Sequence, residues 1–233
     1  MTIRKGVQKI YVEVAHTYEI INHIITLGLD IRWRKKAARI ASQKGGCLWM
    51  DICSGTGEMA RYLSALSDDD VTIFAVDFSF PMLKRLMEKG GNALDLFPVI
   101  AEAGALPFPD ESFDLLTISF ATRNLNPKKK IIQSYMKEFS RILKPGGHFV
   151  NLETSQPSFK ILRRLFHFYV KKIVKPLGWI LSGSKSGYGY LSFTIPRFFG
   201  PDEFSQILLK SGFSEVRYRS FLFGISALHV AKK

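Results

Sequence analysis

Short apolar runs alternate with stretches of helical spacing through the middle of the chain. Strands are predicted at 47–52, 72–76, 97–101, 114–119 and 147–152, and helices at 57–66, 80–89 and 128–142. That βαβ alternation predicts a mostly parallel sheet with helices on both faces. "LKPGG" at 143–147 reads as a helix stop and turn before the fifth strand. Upstream, residues 7–44 carry helical spacing through Val7, Ile10, Val14, Ile20, Ile21, Ile24 and Ile25, ended by Gly45-Gly46. Downstream, 201–211 reads as a helix with Pro201 near its start and Gly212 at its stop. Strands at 214–222 and 225–231 then form an antiparallel hairpin that closes a seven-stranded sheet.

Residues 154–201 break the rhythm. They carry Lys160, Arg163, Arg164, Lys171, Lys172, Lys175, Lys185 and Arg197, and no Asp or Glu. Aromatic and branched residues interleave, among them Phe159, Phe166, Phe168, Tyr169 and Trp179. Over 156–182 the pattern predicts one or two amphipathic helices with cationic rims. The expected organisation is one domain: a helical cover (1–45), a core (46–153), a basic insertion or lid (154–201) and a terminal helix with hairpin (202–233).

The chain has 233 residues, 46% of them hydrophobic, enough to bury a sizeable core. Cys47 and Cys53 fit neither a CxxC redox pair nor a zinc knuckle, and read as buried free thiols flanking a strand in a reducing compartment. The N-terminal stretch lacks the apolar run of a signal peptide, and no run is long enough to span a bilayer, so a cytoplasmic protein is expected. The formal net charge of +13 points to a polyanionic partner, either nucleic acid or an anionic membrane surface.

The first strand–helix junction, "LWMDICSGTGEMARYL", carries the chemistry. Glycines at such a turn admit a ligand to the backbone and leave amide N–H groups free. Asp51, Gly55 and Gly57 are elements of this turn. Asp77, at the end of the second strand, stands where a nucleoside ribose offers two hydroxyls to a carboxylate. The turn, Asp-x-x-x-Gly-x-Gly, is shorter than a dinucleotide fingerprint, so adenosine without phosphates fits better than NAD.

With these features the sequence resembles the class I S-adenosylmethionine-dependent methyltransferases, a Rossmann-like α/β fold. "YEIINHIITLGLDIRW" (18–33), "DICSGTGEMA" (51–60), "ALPFPDESFD" (105–114), "TISFATRNL" (117–125) and "LKPGGHFVNLETSQP" (143–157), in that order, resemble the ubiquinone/menaquinone biosynthesis C-methyltransferases, the UbiE/MenG type. The resemblance implies S-adenosyl-L-methionine as cofactor and a demethylated isoprenoid quinol as substrate, methylated at a ring carbon. It places cofactor contacts at Thr56 and Asp77, with Glu102 and Ala103 beside the adenine and Ser119 at the end of the fourth strand. The chain departs from the family at Ser54, usually Gly, at Glu58, usually Asp, and at Glu102, usually Asp or Asn.

Methyl transfer to a ring carbon needs in-line alignment and added electron density on the ring. Ionising the hydroquinol hydroxyl supplies the density. With a phenol pKa of about 10, full ionisation at pH 7 takes about 4 kcal/mol of differential stabilisation. Arg123 in "ATRNL" is the candidate to stabilise the phenolate or polarise a water, and Asn124 to orient ring oxygens; the resemblance points at the same pair. His16 is an alternative base, Tyr18 a candidate for the pocket wall, and Glu153 either a pocket acid or a paired carboxylate. The five histidines are scattered without ligand spacing, so no metal is expected. The basic insertion is read as a lid that rests on anionic lipid and admits a long-tailed quinol, placing the protein peripherally at the inner face of the cell membrane. The rivals are a cover with a solvated basic face, an RNA methyltransferase, and a non-catalytic S-adenosylmethionine-binding module. A specific nucleic-acid partner is not expected, and a homodimer is left open.

Overall fold

The computed structural model describes residues 18–90, 96–125, 128–182 and 185–233. Seven strands form one sheet in the order β3-β2-β1-β4-β5-β7-β6. They are β1 (Leu48–Ile52), β2 (Thr72–Asp77), β3 (Leu96–Ile100), β4 (Phe113–Ser119), β5 (Leu143–Thr154), β6 (Glu215–Phe221) and β7 (Ser226–Lys232). β1 to β5 pair in parallel, and β7 runs antiparallel between β5 and β6. Strand order reverses between β1 and β4, so a crevice opens beyond their carboxyl ends, where ligands of open α/β sheets bind.

The helices are α1 (Tyr18–Thr26), α2 (Leu29–Ser42), α3 (Glu58–Ser64), α4 (Phe80–Gly90), α5 (Lys129–Ile142), α6 (Lys160–Tyr169), α7 (Lys175–Ser182), α8 (Lys185–Thr194) and α9 (Pro201–Leu209). Successive strand residues face opposite sides of the sheet. Met50 and Ile52 of β1 join Ile132, Met136 and Phe139 of α5 and Phe204 of α9 in one core layer. Trp49 joins Ala37, Ala38 and Ala41 of α2 and Met59 and Leu63 of α3 in the other. The small alanine face lets α2 lie close against the sheet.

Several expectations are adjusted. Among the described residues the helical cover is two helices, broken at Leu27 and Gly28, both at positive φ. Positions 7–17 of that region, with His16, lie outside the described residues, as does the side chain of Tyr18. β5 starts at Leu143, which pairs with Phe113; residues 144–147 of "LKPGG" fall in a register shift, with Gly146 at positive φ, before His148 pairs with Leu115. Both cysteines are free thiols, but Cys47 is exposed at the strand entrance and only Cys53 is partly buried. The insertion forms α6, a short π-helical turn (Val170–Val174), α7 and α8. It packs back on α1, where Ile21 and Ile25 meet Val174 and Tyr188.

Candidate active site

β1 delivers the chain into the turn at Ser54–Gly57, and α3 begins at Glu58. Gly55 and Gly57 both have positive φ, and a Cβ on Gly57 would overlap the Leu86 side chain at 2.6 Å. A Cβ on Gly55 would meet nothing within 4 Å, so that side of the turn is open to a ligand. Gly55 N–H donates to Asp77 Oδ2 at 2.9 Å, and Ser79 N–H donates to Oδ1 at 2.8 Å. Burial pushes the Asp77 pKa up to about 6, against these backbone bonds. Ser79 Oγ is buried without a hydrogen-bond partner among the described residues. The open turn, the buried carboxylate beside it and the unpaired hydroxyl fit the sugar and amino-acid ends of an adenosyl sulfonium ligand.

Asp51 is fully buried in β1, where Thr117 Oγ1 of the paired strand donates to it at 2.7 Å. Burial raises its pKa to about 7. It sits in β1, separated from the turn by Ile52 and Cys53. Thr56 is buried, and its hydroxyl donates to Glu19 of α1, which also pairs with Lys89. Beyond β3, Ala103 is buried and Glu102 is exposed, bridged to Ala105. Ser119 ends β4, half-buried. Cys53 and Phe120, which follow β1 and β4, are both non-glycine residues at positive φ. Such strain concentrates at functional crevices.

Beyond β4 and β5 lies a second space, a largely apolar cavity of about 250 Å³. It is roofed by α1, α2 and the insertion. Its apolar wall includes Trp33, Phe120, Phe166, Tyr169, Val170 and Ile195. Arg123 lines it from a 3₁₀ turn (Thr122–Leu125) and is buried. Arg123 Nη1 donates to Glu153 Oε1 at 2.6 Å and to the Phe120 carbonyl at 2.8 Å, and Arg123 N–H donates to Glu153 Oε2 at 3.1 Å. Glu153 is thus the paired carboxylate of the two alternatives. Asn124 stands in the same 3₁₀ turn, half-buried, and is not among the cavity-lining residues.

A second charged group on this wall was not singled out from sequence. Asp30 and Arg34 of α2 are buried and line the cavity. Arg34 Nη1 donates to Asp30 Oδ2 at 2.6 Å, Thr26 Oγ1 donates to Oδ1 at 2.6 Å, and His23 Nδ1 lies 2.8 Å from Oδ2. His23 Nε2 is 3.5 Å from Glu58, and Arg34 Nη2 is 3.4 Å from the same carboxylate. The fold brings His23 to Asp30, seven residues on, and to Glu58 of α3; the other described histidines, His148, His167 and His229, are not in this group. The ligand atoms of His23, Asp30 and Glu58 lie within 4.8 Å of one another, but the Arg34 guanidinium reaches both carboxylates and supplies the cation there. An i,i+4 acid–base pair on a helix ordinarily reads as a solvated pair. Trp33, three residues after Asp30 and one before Arg34 on the same helix, was the available signal.

Comparisons with known proteins agree with this geometry. Residues 2–233 match the model of the ubiE/COQ5 methyltransferase family. A demethylmenaquinone methyltransferase of Staphylococcus aureus is 32% identical over 230 residues, covering 99% of this chain and 94% of that protein. Among solved structures, a methyltransferase from Thermotoga maritima superposes with a TM-score of 0.64 at 20% identity, covering 96% of this chain and 99% of that one. An S-adenosylmethionine-dependent methyltransferase from Aquifex aeolicus gives 0.59 at 17%, covering 84% and 88%. At such identities the structures support the shared fold alone. The family match over nearly the whole length makes this chain an S-adenosylmethionine-dependent methyltransferase of the ubiE/COQ5 family.

Proposed function

We propose that the enzyme methylates a ring carbon of a demethylated isoprenoid quinol of the demethylmenaquinol type. The observation that carries this reading is the apolar cavity with Arg123 on its wall, beneath the basic insertion and linked to the end of the cofactor turn by the Arg34–Glu58 pair. An engineered cavity of about 150 Å³ takes a benzene ring. About 250 Å³ suits a one- or two-ring head group and leaves a long tail to exit. Leu27 and Leu222 line the cavity yet are 86% and 46% exposed, which puts them at its mouth.

Asp77 holds the ribose hydroxyls, the amides around Gly55 and Thr56 receive the amino-acid end, and Ala103 lies against the adenine with Glu102 and Ser119 near it. Bound there, the cofactor supplies an electrophilic methyl group. Arg123 stabilises developing negative charge on the quinol oxygen. Its pairing with Glu153 fixes the guanidinium in place and lets it act at short range in an apolar site. Asn124, one residue on, orients the ring oxygens from the rim.

The insertion rests on anionic lipid in this reading. Phe159, Ile161, Leu165 and Phe168 are all at least 60% exposed, interleaved with Lys160 and Arg164. Each cation near such a surface contributes about 1 kcal/mol. No helix among the described residues is long and apolar enough to cross a membrane. Mass spectrometry of quinones from cells lacking the protein tests the substrate. A quinone lighter by one methyl should accumulate, and an unchanged quinone pool overturns the proposal.

A further inference from the structure

The wall of the largely apolar cavity carries Arg123 from the β4–α5 connection and Asp30 with Arg34 from α2, along with the polar residues Asn22, Thr26 and Thr154. A quinol hydroxyl on a flat apolar ring can donate to an acceptor and accept from a donor at the same oxygen. Arg123 can only donate. Asp30 can only accept while ionised. Burial pushes its pKa up, but the Thr26 hydrogen bond and the Arg34 charge outweigh this and hold it below the usual carboxylate range. Arg34 Nη1 is held on Oδ2, which leaves Oδ1, shared with the Thr26 hydroxyl, to meet a ligand. Thr26 and Asp30 both line the cavity.

Resting on the quinol reading above, we infer that Asp30 is a catalytic residue that accepts the O–H of the acceptor, selecting the reduced quinol over the quinone and taking its proton during transfer. A quinone offers no O–H and sets a carbonyl lone pair against the carboxylate, so it is rejected. With a quinol, the O–H bond breaks as the proton moves to Asp30, and its electron pair flows into the ring. The ring carbon forms its bond to the methyl group, whose former bonding pair stays on sulfur. Rearomatisation releases the ring C–H proton to water, and Asp30 returns its own proton to the oxygen. No oxidant or reductant is consumed.

The test uses the full-length enzyme, a short-chain 1,4-naphthalenediol, its quinone and its dimethyl ether, under anaerobic conditions. Calorimetry without cofactor should show wild type binding the diol about 10- to 100-fold more tightly than the quinone or ether. Asp30→Asn should erase that preference while cofactor affinity stays within about twofold, and should lower kcat by about 10²- to 10⁴-fold. If Asp30→Asn does not fold, the wild-type ligand series still decides. Equal binding of diol, quinone and ether overturns the inference, as does an Asp30→Asn enzyme that keeps both preference and rate. Wild type that methylates no quinol at all instead overturns the substrate reading itself.

Discussion

Replacing Glu153 by Gln should destabilise the protein more than almost any other single polar change. Arg123 and Glu153 are 4% and 1% exposed. Glu153 Oε1 accepts from Arg123 Nη1, from Thr154 N–H at 2.7 Å and from Thr154 Oγ1 at 2.9 Å, and Oε2 accepts from Arg123 N–H. A glutamine can keep its oxygen on the three Oε1 donors, but its NH₂ then faces the Arg123 N–H, donor against donor. The guanidinium is also left in an apolar wall without its counter-charge. Removing one partner of a buried ion pair costs about 3–5 kcal/mol. For a chain of this length each kcal/mol lowers Tm by about 2–4 °C, so a drop of roughly 6–20 °C is expected. The double variant Arg123→Met/Glu153→Leu removes both charges and should recover most of the loss, yet stay inactive. Urea denaturation of wild type, Arg123→Met, Glu153→Leu and the double variant gives the coupling. A Glu153→Gln variant within 1 kcal/mol of wild type would refute the reasoning, because Arg123 would then not depend on Glu153.

Asp77→Ala should weaken S-adenosylmethionine binding about 100-fold by calorimetry, through two lost charge-assisted bonds, whereas Arg123→Met should lower kcat far more than cofactor affinity. Asp51→Asn should stabilise the protein at pH 8 and change little at pH 5. The folded pKa of about 7 lies above the ordinary 3.8, so the folded state holds the extra proton and stability falls as pH rises through that window. The difference between variant and wild type should grow by about 2–4 kcal/mol from pH 5 to 8, read by denaturant titration at each pH. Flotation with liposomes should depend on anionic lipid content and weaken when Lys171, Lys172 and Lys175 are neutralised; flotation indifferent to both removes the docking role of the insertion.

The sheet was legible because its central strands are buried on both faces and stand out as apolar runs between helical stretches. Asp77 was legible for a geometric reason: the end of the second parallel strand opens on the crevice whatever the rest of the chain does. The Asp30 group was not. Asp30 and Arg34 are an ordinary helical acid–base pair until Phe120 packs on the guanidinium at 4.9 Å and the insertion closes over α1. Their burial comes from contacts with residues some ninety or more positions away, which no local pattern encodes. Glu153 was ambiguous for the same reason, since only the β4–α5 turn brings Arg123 onto it. Cys47 was misplaced because apolar neighbours on one side suggested burial, while the strand entrance is open to solvent.

The cover helices join the two halves of the site. Near its start, α1 places Glu19 on the Thr56 hydroxyl of the cofactor turn. At its other end it supplies Thr26 and Ile25 to the cavity wall, and Tyr169 of the insertion donates to the Ile25 carbonyl at 2.6 Å. A ligand carboxylate arriving at the turn competes with Glu19 for that hydroxyl, and burial, offset by the Lys89 and Thr56 contacts, leaves Glu19 ionised and therefore repelled. Glu19 and Thr26 lie on the same helix, so α1 ties the cofactor turn to Asp30 and to the lid through contacts at its two ends.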